Sequence, residues 1–336
     1  MKKNKALIIR FSSFGDIIQC STVVERIAQG LESPEIDWVT RSEFTEVVGL
    51  NKSITNVISL NRKQGIIGLL KLAFKLTKNN YSLVYDAHNN LRSNLIKFIF
   101  LITFSNAKWI TRPKDRVKRF LLFKLRINKF PVPFKGIDSY QAPLDKILRN
   151  ESNSKNLVQY NFNIEIKNKI NNIIGEKNSA ITIVPSAAWP MKRWPLQYWK
   201  DLIVLLGGKK IYILGGKEDT FCEELVQVAP ERVINLAGKL SLLESCAMIG
   251  QSNIVISADT GLLHVADVLG VKGISLMGPS AFGFTKSELI KTLEIDLPCR
   301  PCSKDGSGNC SHDVYQKCMM GILPSSVKST IEELTN

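Results

Sequence analysis

Three segments of this 336-residue chain place reactive side chains where an apolar run gives way to a turn. In residues 254–264, Ile-Val-Ile-Ser-Ala-Asp-Thr-Gly-Leu-Leu-His, a buried-strand pattern ends at Ser257. Asp259, Thr260 and Gly261 then turn into a helix that starts near Leu262. The N–H groups of such a turn and the positive end of the helix favour a phosphate. Gly261 permits close backbone approach, and His264 lies one turn on, able to face the same crevice. A plain helix cap with a packed histidine is the structural alternative. Residues 184–195 repeat the strand-end arrangement with two tryptophans, three prolines and the pair Lys192-Arg193, whose charges suit a diphosphate; an aromatic staple between domains is the alternative. Residues 10–16, Arg-Phe-Ser-Ser-Phe-Gly-Asp, lack the spacing of a P-loop or a dinucleotide fingerprint. Their reactive group is Asp16, which serves either as a general base on a hydroxyl or as a carboxylate favouring the helix dipole. Near the C-terminus Cys299, Cys302, Cys310 and Cys318 follow a C-x2-C-x7-C-x7-C spacing with His312 between the last two. That set suits structural zinc or iron, or else free thiols in an extended loop.

The elements that position these groups alternate strand and helix. Apolar runs predict strands over 6–10, 36–39, 56–60 and 83–86, with helices over 66–78 and 93–104. The alternation restarts with strands over 180–185, 210–214, 233–236, 254–257 and 273–277, and helices over 196–206, 221–228, 241–249 and 262–269. This is an α/β pattern of parallel sheets with helical crossovers. The Asn/Ser/Lys-rich stretch 150–172 is taken as the junction, which gives domains 1–155 and 156–336. Ligands on such folds bind at the carboxyl ends of strands, so a cleft between two such domains is the default site.

Composition bounds the function. Hydrophobic residues make up 44% and charged residues 22%, enough for a full core. No apolar run reaches the ~18–20 residues of a membrane span, and the basic N-terminus lacks a signal-peptide apolar stretch. A cytoplasmic location is therefore expected, and the seven cysteines are not read as a disulfide framework; Cys20, Cys222 and Cys246 read as core. The net charge of +15 lies wholly in residues 1–150, which hold 26 Lys+Arg against 11 Asp+Glu. It peaks in residues 108–135, with ten cations and one acid, and favours a polyanionic partner. No helix-turn-helix, RRM or OB signature supports nucleic acid. The mixture of cations and large apolar residues over 116–130 suits an interfacial helix on anionic lipid.

The ordered set Arg10-x-Ser12-Ser13-x-Gly15-Asp16-Ile17-Ile18, Lys192-Arg193-Trp194-Pro195, Leu236-Ala237-Gly238-Lys239-x-Ser241-Leu242 and Ser257-x-Asp259-Thr260-Gly261-x-x-His264 resembles glycosyltransferase family 9, the ADP-heptose:lipopolysaccharide heptosyltransferases. Gly278-Pro279 and Pro298-Cys299-x-x-Cys302 resemble it too, so the likeness runs from about Lys5 to Pro324. The resemblance implies a GT-B fold of two facing Rossmann-like domains, the first for the acceptor and the second for the nucleotide sugar. It implies inverting, metal-independent transfer of heptose from ADP-heptose to a lipopolysaccharide core or lipid A acceptor, with no cofactor required. Asp16 is then the base. Ser186, Lys192, Arg193, Glu218, Asp259, Thr260, Gly261 and His264 serve the donor, and Ser12, Ser13, Gly15, His88 and Arg92 serve the acceptor. Peripheral attachment to the inner face of the inner membrane follows from a lipid acceptor. Gln19, Thr22 and His88 depart from the usual His, Pro and Gln of the family, and Ala187 and Ala188 from hydroxyl residues. A different sugar nucleotide, or a protein or other glycan as acceptor, remains the alternative within the family.

Overall fold

The computed structural model describes residues 4–148, 158–175 and 180–335. The chain forms two compact units, residues 1–115 with 137–161, and residues 116–136 with 162–336. The expected boundary between 155 and 156 lies outside the described residues. A single cut there would leave residues 116–136 in the first domain, whereas they pack with the second unit.

The first unit runs β1 (Lys5–Ile9), α1 (Phe14–Gly30), β2 (Glu35–Arg41), α2 (Thr45–Val48), β3 (Asn56–Leu60), α3 (Gly65–Thr77), β4 (Leu83–Asp86), α4 (Leu91–Ile102) and β5 (Lys108–Thr111). Helix α5 (Arg116–Leu125) then belongs to the second unit, and the chain returns to the first through α6 (Gly136–Gln141). The strands form a parallel sheet in the order β3-β2-β1-β4-β5. Alternation along β1 sends Ala6 and Ile8 to one face, against Ile17, Val24 and Ile27 of α1. It sends Leu7 and Ile9 to the other, against Leu69 and Ala73 of α3 and Ile96 and Phe100 of α4.

The second unit continues with α7 (Ile164–Ile174), β6 (Ile181–Val184), α8 (Leu196–Leu205), β7 (Ile211–Ile213), α9 (Cys222–Val226), β8 (Val233–Asn235), α10 (Leu242–Gln251), β9 (Ile254–Ala258), α11 (Gly261–Leu269), β10 (Gly273–Met277), β11 (Ile290–Glu294), α12 (Lys317–Met320) and α13 (Pro324–Thr335). Its parallel sheet has the order β11-β10-β9-β6-β7-β8. Helices α8 and α13 cover one face through Trp199, Leu202, Val327 and Ile331. Cys20, Cys222 and Cys246 are buried. The units divide at 161/162, within the expected junction stretch 150–172, whose C-terminal end is helical. Residues 164–174 form α7, because Ile170 and Ile174, one turn apart, are buried beneath a polar outer face.

Both sheets reverse their winding at one point, between β1 and β4 in the first unit and between β9 and β6 in the second. In doubly wound folds the crevice beyond the strand ends at that reversal is where ligands bind. Residues 10–16 and 86–93 flank the first reversal, and residues 184–195 and 257–264 flank the second.

Candidate active site

In the first unit Arg10 leaves β1 with its guanidinium buried, donating to the Ala87 carbonyl at 2.9 Å and pairing with Asp16 Oδ2 at 2.7 Å. Asp16 sits in the first turn of α1. The Ser13 hydroxyl donates to Oδ2 at 2.7 Å, and the Ser13 N–H does so at 3.3 Å. The Tyr140 hydroxyl of α6 donates to Oδ1 at 2.8 Å. Burial pushes the Asp16 carboxyl up, but the Arg10 charge and the Ser13 and Tyr140 hydrogen bonds outweigh it and hold the group well below the usual carboxylate range. The side chain still keeps 38% of its surface open, so a ligand can reach it. Tyr140 lies in no motif, 124 residues from its partner, and spacing gives no sign of it. Its ring is covered by two cations, with Arg10 at 5.5 Å and Arg112 at 3.8 Å from the centroid.

The other expected acceptor residues gather at the same reversal. The His88 ring meets Phe11 edge-on at 4.9 Å, and burial, with the charges of Arg10 and Lys114, pushes its pKa down to about 3. It is therefore a neutral imidazole at physiological pH. Ser12 and Gly15 are half-buried and Ser13 exposed in the turn before Asp16. Arg92 is exposed in the first turn of α4, where Asn90 caps the helix by accepting from the N–H groups of Arg92 and Ser93.

In the second unit Lys192 Nζ is 2.8 Å from Asp259 Oδ2, and each side chain is 12% exposed. The Ser280 hydroxyl donates to the same oxygen at 2.8 Å, and His264 Nε2 lies 3.5 Å from Oδ1. Burial raises the Asp259 pKa, while the His264 hydrogen bond and the Lys192 charge lower it further, so the carboxylate stays ionised. Two glycines make room. A Cβ on Gly283 would stand 2.1 Å from the Asp259 carboxyl carbon, and one on Gly306 would stand 2.5 Å from Lys192 Cγ. Thr260 caps α11 by accepting from the Leu263 N–H, and Gly261 opens that helix.

The remaining expected donor residues are placed differently from one another. The Ser186 hydroxyl donates to Asp219 Oδ1 at 2.6 Å, and Asp219 Oδ2 accepts the Gly216 N–H at 2.7 Å. Asp219, absent from the sequence reading, thus ties the strand-end loop after β6 to the glycine turn after β7, on which Glu218 is exposed. The Arg193 guanidinium donates to the Ala187 carbonyl at 3.0 Å and lies over the Phe221 ring, so it braces the loop that presents Lys192.

Cys299, Cys302, Cys310, Cys318 and His312 line one small cavity together with Met191. Burial pushes the Cys318 thiol up to about 11. Among the described residues no three His, Cys, Asp or Glu side chains converge closely enough to hold a metal. The cavity adjoins the lysine loop, since Gln316 Nε2 donates to the carbonyls of Pro190 at 2.7 Å and Arg193 at 3.2 Å. The segment expected to face lipid is turned partly inward. Phe123, Phe130 and Phe134 surround Phe282, Arg119 lies over that ring, and Arg126 donates to the Pro301 carbonyl at 2.9 Å. Among the described residues no helix is long and apolar enough to cross a membrane.

Comparison with known proteins identifies the family and the fold. The model of glycosyltransferase family 9 (heptosyltransferase) matches residues 69–315, well over half of the chain. Lipooligosaccharide heptosyltransferase 2 of Haemophilus influenzae is 23% identical over 353 residues, covering 98% of each chain. The protein of the same name from Campylobacter jejuni serotype O:6 is 27% identical over 184 residues, and there the match spans about half of each, 52% of this chain and 56% of the relative. Among solved structures, Escherichia coli ADP-heptose LPS heptosyltransferase II superposes with a TM-score of 0.74 at 18% identity, covering 98% of both chains.

Proposed function

The chain belongs to glycosyltransferase family 9 and has its GT-B-type fold, and on that premise we propose that it moves heptose from ADP-heptose to a lipopolysaccharide core or lipid A acceptor, with inversion and without a metal in the transfer step. The observation that carries the donor half is the Lys192 ammonium, fixed by Asp259 at the β9–β6 reversal where α11 begins. A cation and free N–H groups at one strand-end crevice suit a nucleoside diphosphate. ADP-heptose is the sugar nucleotide in the name of the superposed Escherichia coli enzyme.

In this reading Asp16 accepts the proton of the acceptor hydroxyl through Oδ1, the oxygen engaged only by Tyr140 among the bonds described. As the new C–O bond forms at the anomeric carbon, the bond to the diphosphate oxygen breaks and ADP leaves with the electron pair. The hydroxyl becomes more acidic as that bond forms, so a carboxylate held at low basicity still serves late in the step. Lys192 and the N–H groups at the start of α11 stabilise the charge that develops on the diphosphate. Ser186 and Glu218 would meet the nucleotide, and Ser12, Ser13, Gly15, His88 and Arg92 the acceptor. Catalysis in the cytoplasm at an anionic membrane surface follows from a lipid acceptor, and nucleic acid has no role in it. The four C-terminal thiols are donors of the kind that holds structural zinc or iron, but among the described residues no three of them converge closely enough to do so; a metal drawn in by their closing would stiffen the Lys192 loop rather than act on substrate.

The test combines transfer and binding. Lipid from a heptose-deficient strain, incubated with ADP-heptose, gains one heptose by mass spectrometry. Asp16→Asn lowers that rate by ~10²-fold or more and leaves ADP affinity within a few-fold. Lys192→Ala weakens ADP binding by calorimetry and slows transfer together. Normal transfer by Asp16→Asn overturns the base assignment. A mass gain from a different sugar nucleotide, or on a protein, selects the alternative within the family.

A further inference from the structure

We propose that the outer face of α3 and α4, in the first unit, is the surface by which this protein seats on an anionic lipid bilayer. The inference rests on the lipid-acceptor reading and adds where the membrane lies.

Helices α3 and α4 pack side by side on the same face of the sheet. Each buries one stripe, Leu69, Ala73 and Leu76 in α3 and Ile96, Ile99 and Phe100 in α4. Their opposite sides carry large apolar residues as well, interspersed with the exposed Lys71 and Lys75 on α3 and Arg92 and Asn94 on α4. Ile66, Ile67 and Phe74 are exposed on α3, Phe98, Leu101 and Ile102 on α4, and Phe104 just beyond it is 91% exposed. A helix with large apolar residues on its outer as well as its inner side normally lies in a core, spans a membrane or lies in its interface. These helices have 13 and 12 residues, short of the roughly 20 that a span requires. The remaining placement for such a face is the plane of the headgroup boundary.

Charge identifies the lipid. From Val47 to Lys114 the only acid is Asp86, which is buried at the end of β4. Arg62, Lys63, Lys71, Lys75 and Lys78 are exposed around α3. A cationic border around exposed isoleucine, leucine and phenylalanine fits anionic headgroups above acyl chains. It opposes a second copy of the same face, which would set lysine against lysine. A nucleic-acid backbone would use the cations and leave the apolar side chains without a partner. Helix α5 also exposes Val117, Phe120 and Leu125, but its segment is anchored on Phe282 and the Pro301 carbonyl.

The experiment is co-sedimentation of the full chain with phosphatidylcholine vesicles, with and without phosphatidylglycerol. We expect pelleting that requires phosphatidylglycerol and weakens as salt rises. Ile67→Ser/Phe98→Ser/Leu101→Ser/Phe104→Ser should lower partitioning tenfold or more. Lys71→Gln/Lys75→Gln/Lys78→Gln, which leaves the apolar face intact, should lower it at least several-fold. Phe120→Ser/Leu125→Ser on α5 should bind as the wild type does. Retained thermal stabilisation by ADP shows that each variant is folded. The proposal is overturned if the wild type does not pellet, if both α3–α4 variants pellet normally, if only the α5 variant loses binding, or if the serine variant merely turns a dimer into a monomer by light scattering. Transfer to lipid from a heptose-deficient strain, dispersed in detergent so that no bilayer is needed, is measured separately. If it is absent in the wild type while vesicle binding behaves as stated, the lipid-acceptor reading fails and the surface stands.

Discussion

At the scale of single residues, the first unit holds its carboxylate more firmly than a base requires. Asp16 accepts from Arg10, Ser13 and Tyr140 at once, and these contacts hold it well below the ordinary carboxylate range. Such an arrangement gives up proton affinity for a fixed direction of Oδ1. Tyr140→Phe removes one of the bonds and leaves the ring between Arg10 and Arg112. The Asp16 pKa should then rise toward its ordinary value, so the acid limb of the kcat/KM profile moves to higher pH while the rate at neutral pH changes less than about tenfold. A purely structural tyrosine would lower stability and leave that limb where it was. Tyr140 also shows where sequence reading stops. Asp16 is recognisable from the turn and helix start beside it, whereas its partner is set by folding across more than a hundred residues.

At the scale of elements, the strands next to each reversal were legible because they are short, fully buried apolar runs that end in turns, as β1, β4, β6 and β9 do. The edge strands β5 and β11 escaped, since Lys-Trp-Ile-Thr and Ile-Lys-Thr-Leu-Glu are mostly half-buried or exposed and mix polar with apolar residues. Periodicity found α3 and α4 but could not say that each helix carries large apolar residues on its outer side as well, because only the sheet contacts distinguish a buried leucine from an exposed one. The loop bearing Lys192 depends on the C-terminal segment, through Gln316 and through the Trp194 indole, which donates to the Ile322 carbonyl at 2.9 Å. If the four cysteines close on a metal, elemental analysis of the purified protein finds zinc or iron near one equivalent per chain, lost in Cys302→Ser, and ADP affinity falls in that variant though no thiol is assigned to the nucleotide. Metal-free protein with normal ADP affinity would reduce the four cysteines to loop thiols.

At the scale of the whole molecule, acid sensitivity starts earlier than its carboxylates alone require. The folded His88 takes a proton only near pH 3, while the unfolded chain takes it near 6.5. Between those values the unfolded state binds more protons, so stability is complete above about 6.5 and declines as pH falls through the window. Asp16 and Asp259, both depressed, add to the decline only below the ordinary carboxylate range. Melting temperature recorded by fluorimetry should therefore fall from pH 6.5 to 4.5, and less steeply in His88→Gln; parallel curves would deny His88 this part. The assignment of residues 116–136 to the second unit has a consequence for how the chain is made. Phe123, Phe130 and Phe134 leave the ribosome roughly 150 residues before Phe282, the ring they surround. At about 5–20 residues per second they wait ~8–30 s without their partner. The second unit cannot then finish until its C-terminal half is made, and the nascent chain carries an open aromatic cluster through that interval, a natural point of engagement for chaperones.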